Sequence, residues 1–132
     1  MTAQVVTITE SSGSQSAIKV IKYAWTTDSV NGAIVDATAA GAKNKTTYKY
    51  TGQVVRLTTV PTDGPTDNYD LAINDDNTTD VTMGAGQNRD TTNTEQVLAS
   101  SLGFVYDSYL ALTIGTAGNS KSGTAYLYIL SQ

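Results

Sequence analysis

The sequence predicts an all-β fold, as a single β-sandwich or jelly-roll-like domain of about eight to ten short antiparallel strands. Threonine occurs 22 times and tyrosine eight times, whereas glutamate occurs only twice. Threonine and tyrosine suit a pleated, half-buried surface. Short segments of alternating apolar and polar residues are separated by turn dipeptides such as Asn31-Gly32 and Gly118-Asn119. Both patterns are typical of a sandwich or a small barrel.

Five segments have the strongest strand pattern, in which aliphatic residues share one face: residues 17–25, 52–60, 69–75, 108–115 and 124–130. Weaker strand candidates are residues 5–9, 33–37, 47–51, 80–83 and 95–99. We interpret 95–99 as a strand rather than a short helix capped by Asn93 or Thr94, because Gly103 stops it early and its neighbours are β-rich. We expect residues 115–123 to join the last two strands as a hairpin loop. Trp25 and Phe104 are expected in the core.

The first 16 residues are predicted to be a flexible N-terminal arm, and residues 17–132 to form the domain. The segment ESSGSQS, residues 10–16, has the composition of a flexible linker. An arm of this kind can add a strand to the sheet of a neighbouring chain. Val5, Val6 and Ile8 are therefore candidate partner-binding residues.

The composition excludes several kinds of site. The chain has no cysteine and no histidine, which excludes a thiolate nucleophile, a zinc–thiolate site and a Ser-His triad. Eight scattered Lys and Arg residues in a chain of net charge −4 form no phosphate-binding stripe, so we expect no nucleic-acid partner. Without a basic start or a long apolar run, the sequence predicts a soluble protein that does not bind membranes. We expect no enzyme activity, no catalytic residue and no cofactor.

Residues 61–81 hold six of the twelve acidic residues. Asp75, Asp76 and Asp80 are weak candidates for a calcium site, because carboxylate oxygens are ligands that calcium prefers. The segment lacks the central glycine and the terminal glutamate of an EF-hand loop. Asp and Asn also build turns, so we predict turns around one strand rather than a metal site.

Two polar motifs have a structural interpretation. The segment GAGQNRD, residues 84–90, lacks the third glycine and the following helix of a dinucleotide-binding loop. We predict a glycine-rich turn there, with Arg89 and Asp90 paired at the surface. Asn44 and Asn77 each begin a glycosylation sequon, and we interpret both as parts of exposed polar loops.

The tyrosines are the strongest candidates for contact with a partner. Tyr126 and Tyr128 alternate with aliphatic residues and belong to the less buried face of their strand, and Tyr48 and Tyr50 form a second same-face pair. An exposed row of aromatic side chains indicates a surface that contacts protein or sugar. Half-buried packing between strands explains such a row equally well.

Four segments in order carry a resemblance: IKVIKYAWTTD, TGQVVRLTTVPTDGPTDNYDLAINDDNTTDV, GAGQNRDTTNTEQVLASSLG and LALTIGTAGNSKSGTAYLYI. Together they resemble a group of small virion proteins of tailed bacteriophages. The resemblance covers residues 17–130 and consists of strand and turn patterns rather than catalytic motifs. It implies a structural protein at the capsid surface that decorates or cements the shell. The implied partners are the major capsid protein and copies of the chain itself, with a trimer as one option.

Two alternatives remain open at this point. The first is a structural protein of the tail, neck or fibre base. The second is a carbohydrate-binding or adhesion module that uses Tyr126, Tyr128 and the acidic segment with calcium.

Overall fold

A computed structural model describes residues 3–11, 17–65 and 68–131. The described chain is all-β, as predicted, and has one short 3-10 turn at Ala99–Ser101. No helix in these residues is long and apolar enough to span a membrane. The eight strands of the described residues are β1 (Val5–Glu10), β2 (Ile18–Thr26), β3 (Tyr50–Asp63), β4 (Asp70–Asn74), β5 (Glu95–Leu98), β6 (Phe104–Ser108), β7 (Ala111–Gly115) and β8 (Ser122–Ser131).

The larger sheet has six strands in the order β1-β2-β8-β3-β5, with β6 also paired to β3. All of its pairs are antiparallel. Strands β5 and β6 follow one another along the same edge of β3, while β8 takes the other edge. Strand β3 is 14 residues long and contains a bulge between Val54 and Arg56, so Val55 has no partner in β8.

The smaller sheet consists of β4 and β7, paired antiparallel. Isolated bridges extend it beside β7, where Ile34 pairs with Ile114 and Lys45 pairs with Ala111. The segments 33–37 and 80–83 are therefore not strands, contrary to expectation, because only Ile34 and Asp80 form bridges. Residues 47–49 are also outside any strand, so the predicted strand at 47–51 begins only at Tyr50.

One hydrophobic cluster contains residues from both sheets. Trp25 on β2 contacts Tyr69 beside β4, with the ring centroids 5.4 Å apart. The hydroxyl group of Tyr23 donates a hydrogen bond to the carbonyl oxygen of Leu110 at 3.1 Å. Trp25 thus lies in the core as predicted, whereas Phe104 is 53% exposed and the prediction for it was wrong.

Most of the described part of the predicted arm, residues 3–11, belongs to the larger sheet as strand β1. All six residues of β1 pair with β2, and Val6 is buried in the core. The side-chain amide of Gln4 bonds the backbone of Val35 and donates to the carbonyl of Ala42. The expectation of an arm separate from the domain therefore does not describe these residues, since apolar burial and polar contacts both hold them. Residues 1–2 and 12–16 lie outside the described residues.

The last two strands do not form the predicted hairpin. Strand β7 pairs with β4 in the smaller sheet, and β8 pairs with β2 and β3 in the larger one. Residues 115–123 therefore connect the two sheets. The hydroxyl group of Thr27 fixes this connection by donating to the carbonyl of Gly118 at 2.6 Å and accepting from the amide of Lys121 at 2.9 Å.

Candidate protein-binding face

The face of the larger sheet that points away from the hydrophobic cluster carries an apolar surface. Antiparallel partners point to the same face, so the register places side chains in rows across the strands. One row runs across four strands: Val20, Tyr128, Arg56 and Leu98. The next row consists of Ile18, Leu130, Gln53 and Phe104. A third row consists of Lys22, Tyr126, Thr58 and Gln96.

We call the apolar part of this surface and its two cations the outer patch: Ile18, Val20, Lys22, Val55, Arg56, Leu98, Phe104, Tyr126, Tyr128 and Leu130. Four of its large apolar side chains are exposed, at 42% for Ile18, 59% for Leu98, 53% for Phe104 and 37% for Leu130. These four residues come from four different strands. The exposed apolar surface is therefore continuous across the sheet, which is typical of an interaction site rather than of scattered surface residues.

A shallow groove of about 480 Å³ crosses the outer patch. Its walls are Ile18, Val20, Val55, Arg56, Leu98 and Tyr128. Val55 lines the groove because of the bulge in β3. The extra residue there interrupts the alternation of inward and outward side chains along the strand. The groove is a depression in this face into which a partner side chain can fit.

Two cations lie over the tyrosines of the outer patch. The guanidinium carbon of Arg56 is 4.9 Å from the ring centroid of Tyr128, and Nζ of Lys22 is 5.9 Å from that of Tyr126. Both distances are in the range of a cation–π contact. Neither cation pairs with a carboxylate of the described residues, whereas Arg89 pairs with Glu95 at 3.5 Å elsewhere on the chain. Nε of Arg56 is buried without a hydrogen-bond acceptor.

The residues that were predicted from the sequence to bind a partner differ in their exposure. Tyr126 and Tyr128 lie half-buried on the outer patch, as predicted for the less buried face. Val5 is exposed on β1, whereas Val6 is in the core and Ile8 packs against it. While β1 stays in the sheet, Val6 is not accessible to a partner.

Tyr48 and Tyr50 do not form an exposed pair. Tyr48 is exposed in a bend, but Tyr50 is buried and its hydroxyl group donates to Oε1 of Glu10 at 2.7 Å. The same carboxylate accepts hydrogen bonds from the backbone amides of Thr47 and Tyr48. Burial and this hydrogen bond raise the pKa of Tyr50 above its usual value. The group around Glu10 joins β1 to the start of β3 and has a structural role.

The acidic segment forms turns, as predicted. Oδ1 of Asp75 accepts hydrogen bonds from the amides of Asn77 and Thr79, which closes a turn. Oδ1 of Asp80 accepts from the amides of Ile73 and Thr82, and its Oδ2 accepts from Gly84. Within the described ranges, no group of three acidic side chains is placed to hold a metal ion. Asp75, Asp76 and Asp80 therefore have no assembled calcium site in this structure.

Two smaller expectations from the polar motifs were wrong. Asn44 is only 1% exposed, because its amide bonds Asp36, the amide of Ala37 and the carbonyl of Leu112, so the first sequon is not an exposed loop. These contacts use both N–H groups of the Asn44 amide, which lines a cavity of about 500 Å³. Arg89 pairs with Glu95 rather than with Asp90.

Most of the outer patch was not predicted from the sequence. Ile18, Leu98 and Phe104 are far apart in the chain, and strand order alone brings them onto one surface. The available signal was alternation, which placed Ile18 and Val20 on one face of their strand and Tyr126 and Tyr128 on the polar face of theirs. Only the pairing of β2 with β8 shows that these two strand faces belong to the same face of the sheet, and the sequence did not predict that pairing.

No model of a known protein family matches the chain, and no curated protein or solved structure matches it either.

Proposed function

We propose that the protein is a non-enzymatic structural protein of a tailed bacteriophage that binds the outer surface of the capsid and stabilises it. The observation that carries this proposal is the outer patch, an exposed apolar surface across four strands of the larger sheet. Exposed apolar patches of this kind mark interaction sites, and contact with another protein is one of their main uses. The resemblance of residues 17–130 to small virion proteins is the reason for proposing a particle of a tailed bacteriophage.

The geometry supports a cement role in a second way. We propose that the two sheets pack face to face as a β-sandwich, on the basis of the Trp25–Tyr69 contact and the hydrogen bond from Tyr23 to Leu110. A body of this kind is stiff, because close-packed interiors transmit strain rather than absorb it. A stiff plate fixed to the shell by one face resists its expansion.

The proposed partners are the major capsid protein at the outer patch and further copies of the chain. We place contacts between copies at β1, which ends the larger sheet on one side and carries the exposed Val5. An outer strand of a sheet can pair with another chain. The proposed location is the capsid surface of a particle assembled in the host cytoplasm.

The copy number of the protein in purified virions tests this proposal. Quantitative mass spectrometry should find hundreds of copies per particle, and immunogold labelling should find them spread over the shell. A few copies confined to the neck or tail would refute the capsid proposal and support a tail, neck or fibre-base protein instead.

A carbohydrate-binding role has less support from the geometry. The rings of Tyr126 and Tyr128 each have a cation over them, which covers a face that a sugar would need for stacking. Binding to a glycan array that is lost in Tyr128→Ala would nevertheless favour that role over the capsid proposal.

A further inference from the structure

We infer that the outer patch binds an acidic protein surface, on which carboxylates face Lys22 and Arg56 around an apolar contact. This inference rests on the proposed function and adds the chemistry of the capsid surface that the patch recognises.

The charge of the outer patch is opposite to that of the chain. The chain has net charge −4, yet the three rows of side chains across this face hold two cations and no carboxylate. Neither cation has an ion-pair partner in the described parts of the chain. Surfaces that bind one another carry complementary charge, so the partner of this patch should be acidic.

The tyrosines hold both cations in place before binding. Lys22 lies opposite Tyr126 in the register of β2 and β8, and Arg56 lies opposite Tyr128 in that of β3 and β8. Because each cation already rests over its ring, little side-chain entropy is lost when a carboxylate arrives. Burial of Leu98 and Phe104 then excludes water, which makes the new ion pairs stronger than ion pairs on an open surface.

A second copy of the chain fits this surface less well. A two-fold contact would place the outer patch against itself. Lys22 and Arg56 of both copies would then meet without a carboxylate between them. A phosphate-rich partner also fits less well, because only two cations serve a face about 20 Å wide, the width of four neighbouring strands.

Charge-reversal variants of the full chain test the inference on capsid particles prepared without the protein. Lys22→Glu should weaken binding about 10-fold or more and reduce its salt dependence. Lys43→Glu is the matched control, because Lys43 is also exposed and its replacement changes the net charge equally, from −4 to −6. The control should bind within about twofold of the original chain. Lys22→Arg should retain binding, since it keeps the charge.

A zero-length carbodiimide cross-link gives a readout that does not depend on a variant. It should join Lys22 to an Asp or Glu of the major capsid protein. Three results would overturn the inference: equal binding of Lys22→Glu and the original chain, a concentration-dependent dimer in solution that Leu98→Ala abolishes, or equally tight binding to vesicles of anionic phospholipid.

The outcomes also separate the two proposals. If the original chain does not bind capsid particles at all, the proposed function fails and the inference fails with it. If the original chain binds and Lys22→Glu binds equally, only the inference fails.

Discussion

Replacement of Leu98 by alanine should weaken capsid binding without weakening the fold. Leu98 lies on the short edge strand β5 and is 59% exposed, so the folded chain gains little from its side chain. Full burial of a leucine side chain contributes about 1.5–3 kcal/mol. Burial of the exposed fraction by a partner therefore contributes about 1–2 kcal/mol, which corresponds to a loss of about 5- to 30-fold in affinity on truncation.

The assay is a titration of fluorescently labelled protein onto capsid particles that lack it, with Kd measured for each variant. Val35→Ala is the control, because Val35 is 57% exposed but lies in a loop outside the outer patch. Thermal unfolding should give a Tm within about 2 °C of the original chain for both variants. Equal Kd values for Leu98→Ala and Val35→Ala would refute the assignment of the outer patch as the capsid-binding surface.

Three further predictions concern the fold. Glu10→Ala should lower the free energy of unfolding by about 1–3 kcal/mol in urea titration, because the part-buried hydroxyl group of Tyr50 loses its acceptor; no change would mean that this hydrogen bond contributes nothing to stability. Gly86→Ala should destabilise by about 1–3 kcal/mol or more, because a Cβ there would overlap the carbonyl oxygen of Leu71. Gly64→Ala is the control and should change stability by less than about 0.5 kcal/mol, because a Cβ there would meet no described heavy atom within 4 Å beyond its chain neighbours. Burial raises the pKa of Tyr23 and Tyr50 in the folded chain above the usual 10.0, so the stability that these groups contribute is present below pH 10 and lost as pH rises further. In absorbance at 295 nm, part of the tyrosine ionisation should coincide with alkaline unfolding, and complete ionisation of all eight tyrosines in a still-folded chain would contradict this.

The sequence predicted the fold class and most strands because burial with period two leaves a local signal. Tyr69, Leu71 and Ile73 alternate in the sequence and are all fully buried. The signal failed where the backbone departs from regular pairing. The bulge at Val55 shifts the alternation of β3, so that Val54 and Leu57 are both buried although they are three residues apart.

Long-range pairing caused the other errors. Turn residues between 115 and 123 indicate a reversal of the chain, but they do not say whether the next strand joins the same sheet. Segment 33–37 has apolar residues with the right spacing, yet only Ile34 finds a bridge partner. Local patterns specify which residues face inward, and pairing over long sequence distances decides which strands meet.

The candidate site was predictable only in part for the same reason. Alternation placed Tyr126 and Tyr128 on the less buried face, which the structure confirms. The exposure of Phe104 could not be predicted from its own segment. Phe104, Val105 and Tyr106 are all apolar or aromatic, yet only Val105 faces the core, while Phe104 and Tyr106 are exposed. The sequence did not indicate a binding role for Lys22 and Arg56, because each lies beside a tyrosine of β8 only through the pairing of its strand with β8.

Electron cryo-microscopy of the intact virion tests the central claim most directly. We expect density for the protein at repeated positions over the capsid shell, with the outer face of β2, β8, β3 and β5 buried against the major capsid protein. Density over the shell in which this face points to solvent, or density at the neck or tail alone, would contradict the claim.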